Sequence, residues 1–152
     1  MVICCDFDGT CVTHDFPLVG KDIGAVPVLK ELVENGHQLI LWTMRSNRPK
    51  GGAISDPTIH DVTGNFLDDA VKWFERNEIP LYGIQENPTQ KEWTTSKKCY
   101  AQLYIDDAAL GCPLLYPKNY SEYDLVPLSD RPFVNWKMVR NILYAEGILK
   151  HK

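Results

Sequence analysis

The sequence predicts a single α/β domain, residues 1–152, with a central parallel sheet covered by helices on both faces. Short apolar runs of strand length at 2–5, 39–42, 81–84 and 102–105 alternate with longer segments of helical spacing. Strands joined by helix-length crossovers form parallel sheets. The length suits one domain, and there is no repeat or linker that would divide the chain. A three-layer α/β/α arrangement is therefore expected.

The remaining elements follow from spacing and from helix-terminating residues. Apolar residues recur every three or four positions over 21–35, which predicts an amphipathic helix that Gly36 terminates. Two further helices are predicted over 66–77 and 136–149. A short apolar stretch at 113–116 is expected to add a fifth strand.

Composition narrows the class of protein. Hydrophobic residues make up 44% and charged residues 24%, which are ordinary values for a folded domain and argue against a disordered chain. Sixteen basic and twenty acidic residues give a net charge of −4. Since a dedicated nucleic-acid binder needs clustered positive charge, this balance disfavours a nucleic-acid partner, although a nucleotide as a small substrate stays compatible with it.

Location is predicted from what the sequence lacks. The longest apolar runs are far shorter than the roughly 20 residues that span a bilayer, and the first residues do not have the pattern of a signal peptide. The five cysteines form no C-x-x-C pair, which argues against a disulfide framework or a structural zinc site. We expect reduced thiols, a cytoplasmic location and no membrane partner.

Polar residues cluster where the predicted strands end. Asp6 and Asp8 follow the first strand, Thr43 the second, and Asp106 and Asp107 the fourth. Ligands of open parallel sheets bind at the carboxyl ends of the strands, so these side chains are expected to meet. Two like charges 4 Å apart repel by about 4 kcal/mol at an effective dielectric of 20. A bound Mg²⁺, held by carboxylates together with a substrate phosphate, would relieve that repulsion.

A family resemblance rests on four motifs in order. The string DFDGT at 6–10 resembles the opening D-x-D-G-T signature of the haloacid dehalogenase (HAD) superfamily. Thr43 after an apolar strand, Lys98, and the sequence IDD at 105–107 resemble the later motifs of that family. The resemblance spans residues 2–107. It implies a Rossmann-like, HAD-like domain and phosphate-ester chemistry.

The resemblance also implies roles for the residues of the first two motifs. Asp6 would be the nucleophile that attacks phosphorus and forms an aspartyl-phosphate. Asp8 would protonate the leaving oxygen and then activate water, while its backbone carbonyl helps bind the metal. The hydroxyl of Thr43 and the backbone N–H of Met44 would hold the phosphoryl oxygens.

The remaining motifs supply the positive charge and complete the metal site. Lys98 would offset the charge of the phosphoryl group and of the nucleophile, with Lys97 and Lys91 left open as alternatives. Asp106 would complete the metal shell, and Asp107 would act as a ligand or support one. The lysine precedes the paired aspartates, as in hydrolases of this family.

The short segments between the motifs leave no room for a cap domain, so a site open to large phosphorylated substrates is expected. The loop 44–64 is the candidate for substrate contact, and Arg45 is expected to meet a second anionic group of the substrate. His14 and His60 are lone histidines for which no chemical role is predicted.

The predicted function is that of a capless, Mg²⁺-dependent phosphatase that hydrolyses a phosphate monoester. Three alternatives stay open: phosphotransfer to an acceptor other than water, dephosphorylation of nucleic-acid ends, and a non-catalytic binding module with this fold. Association into an oligomer that covers the site is compatible with all of them.

Overall fold

Within residues 1–48, 63–116 and 131–151, which the computed structural model describes, the central sheet has four parallel strands: β1 (Val2–Cys5), β2 (Gln38–Leu41), β5 (Gly83–Ile84) and β6 (Leu103–Ile105). Their spatial order is β5, β2, β1, β6. The two middle strands, β2 and β1, are the most apolar, since buried parallel strands are covered on both faces. The predicted α/β class with a parallel sheet is confirmed.

The register of the sheet brings the ends of its strands to one edge. Cys5 at the end of β1 is paired with Leu41 in β2 and with Ile105 in β6. The ladder continues one residue further on both sides of β1, because Asp6 N–H donates to the Ile105 carbonyl at 3.0 Å and Trp42 N–H donates to the Cys5 carbonyl at 2.9 Å. The residues that follow β1, β2 and β6 therefore lie side by side.

The helices of the described residues are α1 (Ala25–Glu34), α2 (Phe66–Arg76) and α3 (Trp136–Ala145). Helix α1 begins four residues later than predicted, since Gly24 at φ 97° is outside the helical region and Asp22 Oδ1 instead accepts hydrogen bonds from the first helical N–H groups. It ends before Gly36, as predicted.

The expectation of helices on both faces of the sheet is wrong for the described residues. The inner side chains of α1, α2 and α3 share one core with Ile3, Leu39 and Leu41, on a single face of the sheet. On the other face, Cys4 and Ile40 pack against Cys99, which belongs to the connection between β5 and β6.

Strand order explains this one-sided packing. The chain steps from β1 to β2 to β5 in one direction, so two right-handed crossovers place α1 and α2 on the same face. The step from β5 to β6 reverses direction and crosses the opposite face. Within that connection the structure has a 3₁₀ helix, Gln90–Glu92, where a three-layer fold would have an α-helix.

Two small antiparallel pairs extend the domain beyond the main sheet. Strands β3 (Asn47–Arg48) and β4 (Gly64–Asn65) pair, as do β7 (Leu114–Leu115) and β8 (Phe133–Val134). The predicted fifth strand therefore exists as β7, but it lies outside the central sheet. None of the helices in the described segments has the length and apolar character needed to cross a membrane.

Candidate functional site

Three carboxylates meet at the carboxyl edge of the sheet. Asp6 follows β1, and Asp106 and Asp107 follow β6, the neighbouring parallel strand. Each offers one oxygen such that the three oxygens lie within 4.8 Å of one another. This is the juxtaposition that the strand-end positions predict. Hard, negatively charged oxygens at this spacing are the donor set that suits Mg²⁺.

The protonation of Asp6 reflects these surroundings. Burial is the largest influence, and together with the nearby charges of Asp106 and Asp107 it raises the pKa of Asp6 to about 7. Hydrogen bonds from the Phe7 backbone N–H and the Thr10 hydroxyl oppose this rise. Without a cation the carboxyl group is thus only partly ionised at neutral pH, and a bound cation would favour its charged form.

Thr10 connects two of the carboxylates. Its hydroxyl lies 2.9 Å from Asp6 Oδ2 and 3.3 Å from Asp107 Oδ1, and it accepts a hydrogen bond from Asp107 N–H at 3.1 Å. A hydroxyl has one proton, so it donates to one carboxylate at a time. Thr10 is completely buried, and its role is to position the two acids. Its position in the DFDGT string did not by itself indicate this role.

His14 holds Asp107 from the other side. Its Nε2 lies 3.2 Å from Asp107 Oδ2 and 3.0 Å from the Pro132 carbonyl oxygen. Since a carbonyl only accepts, Nε2 carries the proton and donates. Burial alone would raise the pKa of Asp107, but the hydrogen bond and charge of His14, with further hydrogen bonds from Asp6 and Thr10, lower it.

Gly9 makes room for this contact. The residue has φ +75°, and a Cβ at this position would lie 2.1 Å from the His14 ring. The glycine of DFDGT is thus required both for the turn and for the approach of His14. Reasoning from sequence missed His14 because its partner, Asp107, is remote along the chain.

Arg45 does not lie where the sequence analysis expected it. Its Nε and Nη2 donate to the two oxygens of Asp8, both at 2.7 Å, and its side chain is 1% exposed. The guanidinium lies between the rings of Phe7 and Phe16, with centroids at 5.0 and 5.2 Å, and also donates to the Leu18 carbonyl. The prediction that Arg45 contacts the substrate is therefore wrong: it is a buried partner of Asp8.

Asp8 is separated from the other acids by this ion pair. The carboxylate cluster of the described residues consists of Asp6, Asp106 and Asp107, without the side chain of Asp8. Both oxygens of Asp8 accept hydrogen bonds from one guanidinium, a bidentate arrangement that fixes the orientation of the carboxylate. With 21% of its side chain exposed, Asp8 can still be reached from solvent.

Gln85 shapes the segment that contains Thr43. Its Oε1 accepts from Thr43 N–H at 2.8 Å, and its Nε2 donates to the Thr43 and Arg45 carbonyls at 2.6 and 3.3 Å. Arg45 N–H donates to Thr43 Oγ1 at 3.1 Å, so the hydroxyl proton of Thr43 stays available to donate. Gln85 directly follows β5, and the strand-end rule applied to that strand would have identified it.

Met44 lies at the outer tip of the same turn. Its side chain is 98% exposed, and among the described residues no acceptor takes its backbone N–H. An anion at this edge of the sheet would find a free donor there. The geometry is thus compatible with the predicted pairing of Thr43 and Met44 on phosphoryl oxygens.

The structure does not bring Lys98 to the carboxylates. Its side chain is exposed, and its ammonium lies 5.7 Å from the centroid of the Tyr104 ring. Within the described residues it forms no ion pair with Asp6 or with the two acids after β6. Lys91 and Lys97, the two alternatives, instead line a cavity beside Trp42. Of the loop 44–64, residues 49–62, with Lys50 and His60, lie outside the described residues.

Comparisons with known proteins give one structural likeness and no family. No protein-family model matches the sequence, and no curated protein does. The solved structure of a conserved protein from Bacteroides thetaiotaomicron is similar, with a TM-score of 0.65 and 26% sequence identity. The likeness covers 96% of this chain and 91% of the other. It supports the α/β fold and states no activity.

Proposed function

We propose that this protein is a Mg²⁺-dependent phosphatase of the HAD type, which hydrolyses a phosphate monoester through an aspartyl-phosphate on Asp6. The observation that carries the proposal is the meeting of three carboxylates within 4.8 Å at the carboxyl edge of a parallel sheet. Asp6 follows β1, whereas Asp106 and Asp107 follow β6, so the pairing of these two strands brings the three acids together.

The residues present fit the metal. Asp6, Asp106 and Asp107 offer hard oxygen donors, and Mg²⁺ is commonly held by one or two carboxylates plus substrate phosphate. When bound, the ion would supply positive charge against the phosphoryl oxygens. The raised pKa of Asp6 supports this assignment, because crowded acids without a cation are costly to ionise.

The proposed reaction has two displacements. In the first, an Asp6 oxygen attacks phosphorus, the P–O bond of the ester breaks, and the leaving oxygen takes a proton from Asp8. In the second, Asp8 accepts a proton from water, the water oxygen attacks phosphorus, and phosphate leaves Asp6. The Thr43 hydroxyl and the Met44 N–H would donate to the phosphoryl oxygens in both steps.

The first test uses a generic aryl phosphate. Purified protein should release phosphate in the presence of Mg²⁺, and EDTA should abolish the release. Asp6→Asn should reduce turnover by at least about 10³-fold while circular dichroism stays that of a folded protein. Glu146→Gln, at an exposed acid that directly follows α3, is the matched control. Wild-type turnover in Asp6→Asn would refute the nucleophile.

The ion pair of Asp8 leads to a second test. Arg45 positions Asp8 through two hydrogen bonds, and a proton from Asp8 matters most to esters of weakly acidic alcohols, whose leaving oxygen is strongly basic. Asp8→Asn should slow esters of poor leaving groups more than esters of good ones. Equal losses across a series of aryl and alkyl phosphates would contradict proton donation by Asp8.

A cytoplasmic location belongs to the same proposal. All five cysteines are free. Two pairs are in contact, with Sγ–Sγ distances of 3.3 Å for Cys4 and Cys99 and 3.6 Å for Cys5 and Cys11. A reducing compartment would keep two such pairs from forming disulfides.

A further inference from the structure

A cavity of about 350 Å³ lies on the face of the sheet opposite the helices. One side is formed by Trp42, which follows β2, and by Cys99. The other side is the connection between β5 and β6, including Thr94, Thr95 and Ser96. Gln85, which shapes the Thr43 segment, also lines this cavity, and the proposed reaction uses none of the other lining residues.

The cavity shares a face with the nucleophile. Side chains alternate along a strand, so Asp6 lies on the same face as Cys4, two residues before it. Cys4 belongs to the small cluster against which Trp42 packs, and its Sγ contacts that of Cys99 at 3.3 Å. Cys99 and Trp42 both line the cavity, and so does Gln85, whose Oε1 accepts from Thr43 N–H at 2.8 Å, so the cavity adjoins the segment that would hold the phosphoryl oxygens.

The lining is suited to a hydroxylated and negatively charged group. The lining includes two cationic residues, Lys91 and Lys97, and one acid, Glu86. Thr94 Oγ1 accepts from Ser96 N–H at 3.2 Å, and Ser96 Oγ accepts from Lys98 N–H at 3.2 Å. Their hydroxyl protons are thus left to donate to a ligand.

The wall of the cavity is also held in place. Gln90 is 8% exposed, and its Nε2 donates to the carbonyls of Ser96 and Lys98 at 3.0 and 2.7 Å. Its Oε1 accepts from Tyr100 N–H at 2.7 Å. Three hydrogen bonds of one buried amide fix the backbone of the segment 96–100, so this wall of the cavity is formed before a ligand arrives.

We propose, on the basis of the phosphatase function above, that this cavity holds the leaving-group half of the substrate, and that the substrate is a phosphorylated sugar or polyol with a second anionic group. The ester phosphate would lie at Asp6, the sugar against the indole of Trp42, and the second anion at Lys91 and Lys97. The polar, cationic lining is a poor match for an acyl chain.

The experiment compares kcat/KM for three substrates: a sugar bisphosphate, the corresponding monophosphate and an aryl phosphate. The bisphosphate should exceed the monophosphate by at least tenfold. Lys97→Gln and Lys91→Gln should each lower the ratio of bisphosphate to aryl phosphate by about tenfold. Lys137→Gln, an exposed lysine of α3 on the other face of the sheet, is the control and should leave the ratio unchanged.

The outcomes separate this inference from the proposed function. Hydrolysis of the aryl phosphate with no preference for the bisphosphate would overturn the cavity assignment and leave the phosphatase intact. An equal loss on all three substrates in Lys97→Gln would also overturn it. So would a preference for a nucleoside monophosphate that disappears in Trp42→Leu.

If no ester is hydrolysed, the proposed function fails and binding decides the inference. Calorimetry with the sugar bisphosphate should then show binding that weakens about tenfold in Lys97→Gln and not in Lys137→Gln. Binding that is absent, or equal in both variants, would overturn the assignment of the cavity.

Discussion

At the scale of single residues, the protonation of Asp6 is set by its neighbours. Burial and the two other acids raise its pKa to about 7, whereas Thr10 limits the rise. His14 has the opposite effect on Asp107, whose pKa is lowered although it is half-buried. Two adjacent carboxyl groups are thus held in different states, an arrangement that is frequent at functional sites.

Stability without a divalent cation should therefore depend on pH through Asp6. The pKa of Asp6 is about 7 in the folded state and 3.8 in the unfolded state. The stability that Asp6 contributes is therefore fully present below pH 4 and is lost as the pH rises through 7. The loss is on the order of 4 kcal/mol, since one pKa unit corresponds to about 1.4 kcal/mol.

Urea unfolding in EDTA at several pH values between 4 and 8 measures this dependence. Asp6→Asn, which cannot ionise, should abolish most of the loss, and Glu146→Gln should not. The same decline in the wild type and in Asp6→Asn would show that other groups are responsible.

His14 should control metal affinity through Asp107. His14→Phe removes the Nε2 donor that lies 3.2 Å from Asp107 Oδ2, so we expect Mg²⁺ affinity to fall about 10- to 100-fold. The rise of the thermal unfolding midpoint with increasing Mg²⁺ concentration measures the affinity of each variant. His37→Phe, at the opposite edge of the sheet, is the control. Unchanged affinity in His14→Phe would mean that His14 only fills space next to Gly9.

At the scale of elements, the C-terminal helix is part of the site. Helix α3 begins at Trp136, which is 2% exposed and whose Nε1 donates to the Thr10 carbonyl at 2.6 Å. Just before it, Val134 N–H donates to the Gly9 carbonyl at 2.9 Å. Strand β8 and helix α3 therefore hold in place the turn that contains Thr10, whose hydroxyl positions Asp6.

Trp136→Phe should separate packing from hydrogen bonding. The ring still fills most of the site, but the buried Thr10 carbonyl loses its donor, which should cost about 1–3 kcal/mol in the free energy of unfolding. Trp93→Phe, at a side chain 61% exposed, should change it by less than about 0.5 kcal/mol. Urea unfolding measures both. Equal stability of the two variants would contradict the structural role of the indole N–H.

At the scale of the whole molecule, the site joins distant parts of the chain. The carboxylates of Asp6 and Asp107 are 101 positions apart and meet only because β1 and β6 pair. A ligand that binds both is bound by the folded state alone, so binding stabilises the entire domain.

Mg²⁺ at 100 times its dissociation constant should add about 2.7 kcal/mol, which is ~5–10 °C in the thermal midpoint of a domain of this size. Differential scanning fluorimetry at pH 8 measures it. Asp106→Asn should remove most of the increase, whereas Glu146→Gln should keep it. If Mg²⁺ raised the thermal midpoint of Asp106→Asn as much as that of the wild type, the ion would bind elsewhere.

Much of the carboxylate cluster could be predicted, because the carboxyl ends of parallel strands share an edge. The prediction that these carboxylates meet required only the positions of Asp6, Asp106 and Asp107 directly after apolar runs. Arg45 could not be predicted, since its inward orientation depends on the rings of Phe7 and Phe16 and on the carboxylate of Asp8, none of which is its neighbour in sequence.

The sequence by itself determined the alternation of strands and helices, the parallel sheet and the set of acids at its edge, because strand length, helical spacing and strand-end polarity are local properties. Tertiary structure decided which strands are neighbours, and hence that α1, α2 and α3 share one face while the other is left for a polar cavity. It also decided that Arg45 pairs with Asp8 and that His14 pairs with Asp107. These outcomes depend on contacts between residues far apart along the chain, whose energies no local pattern encodes.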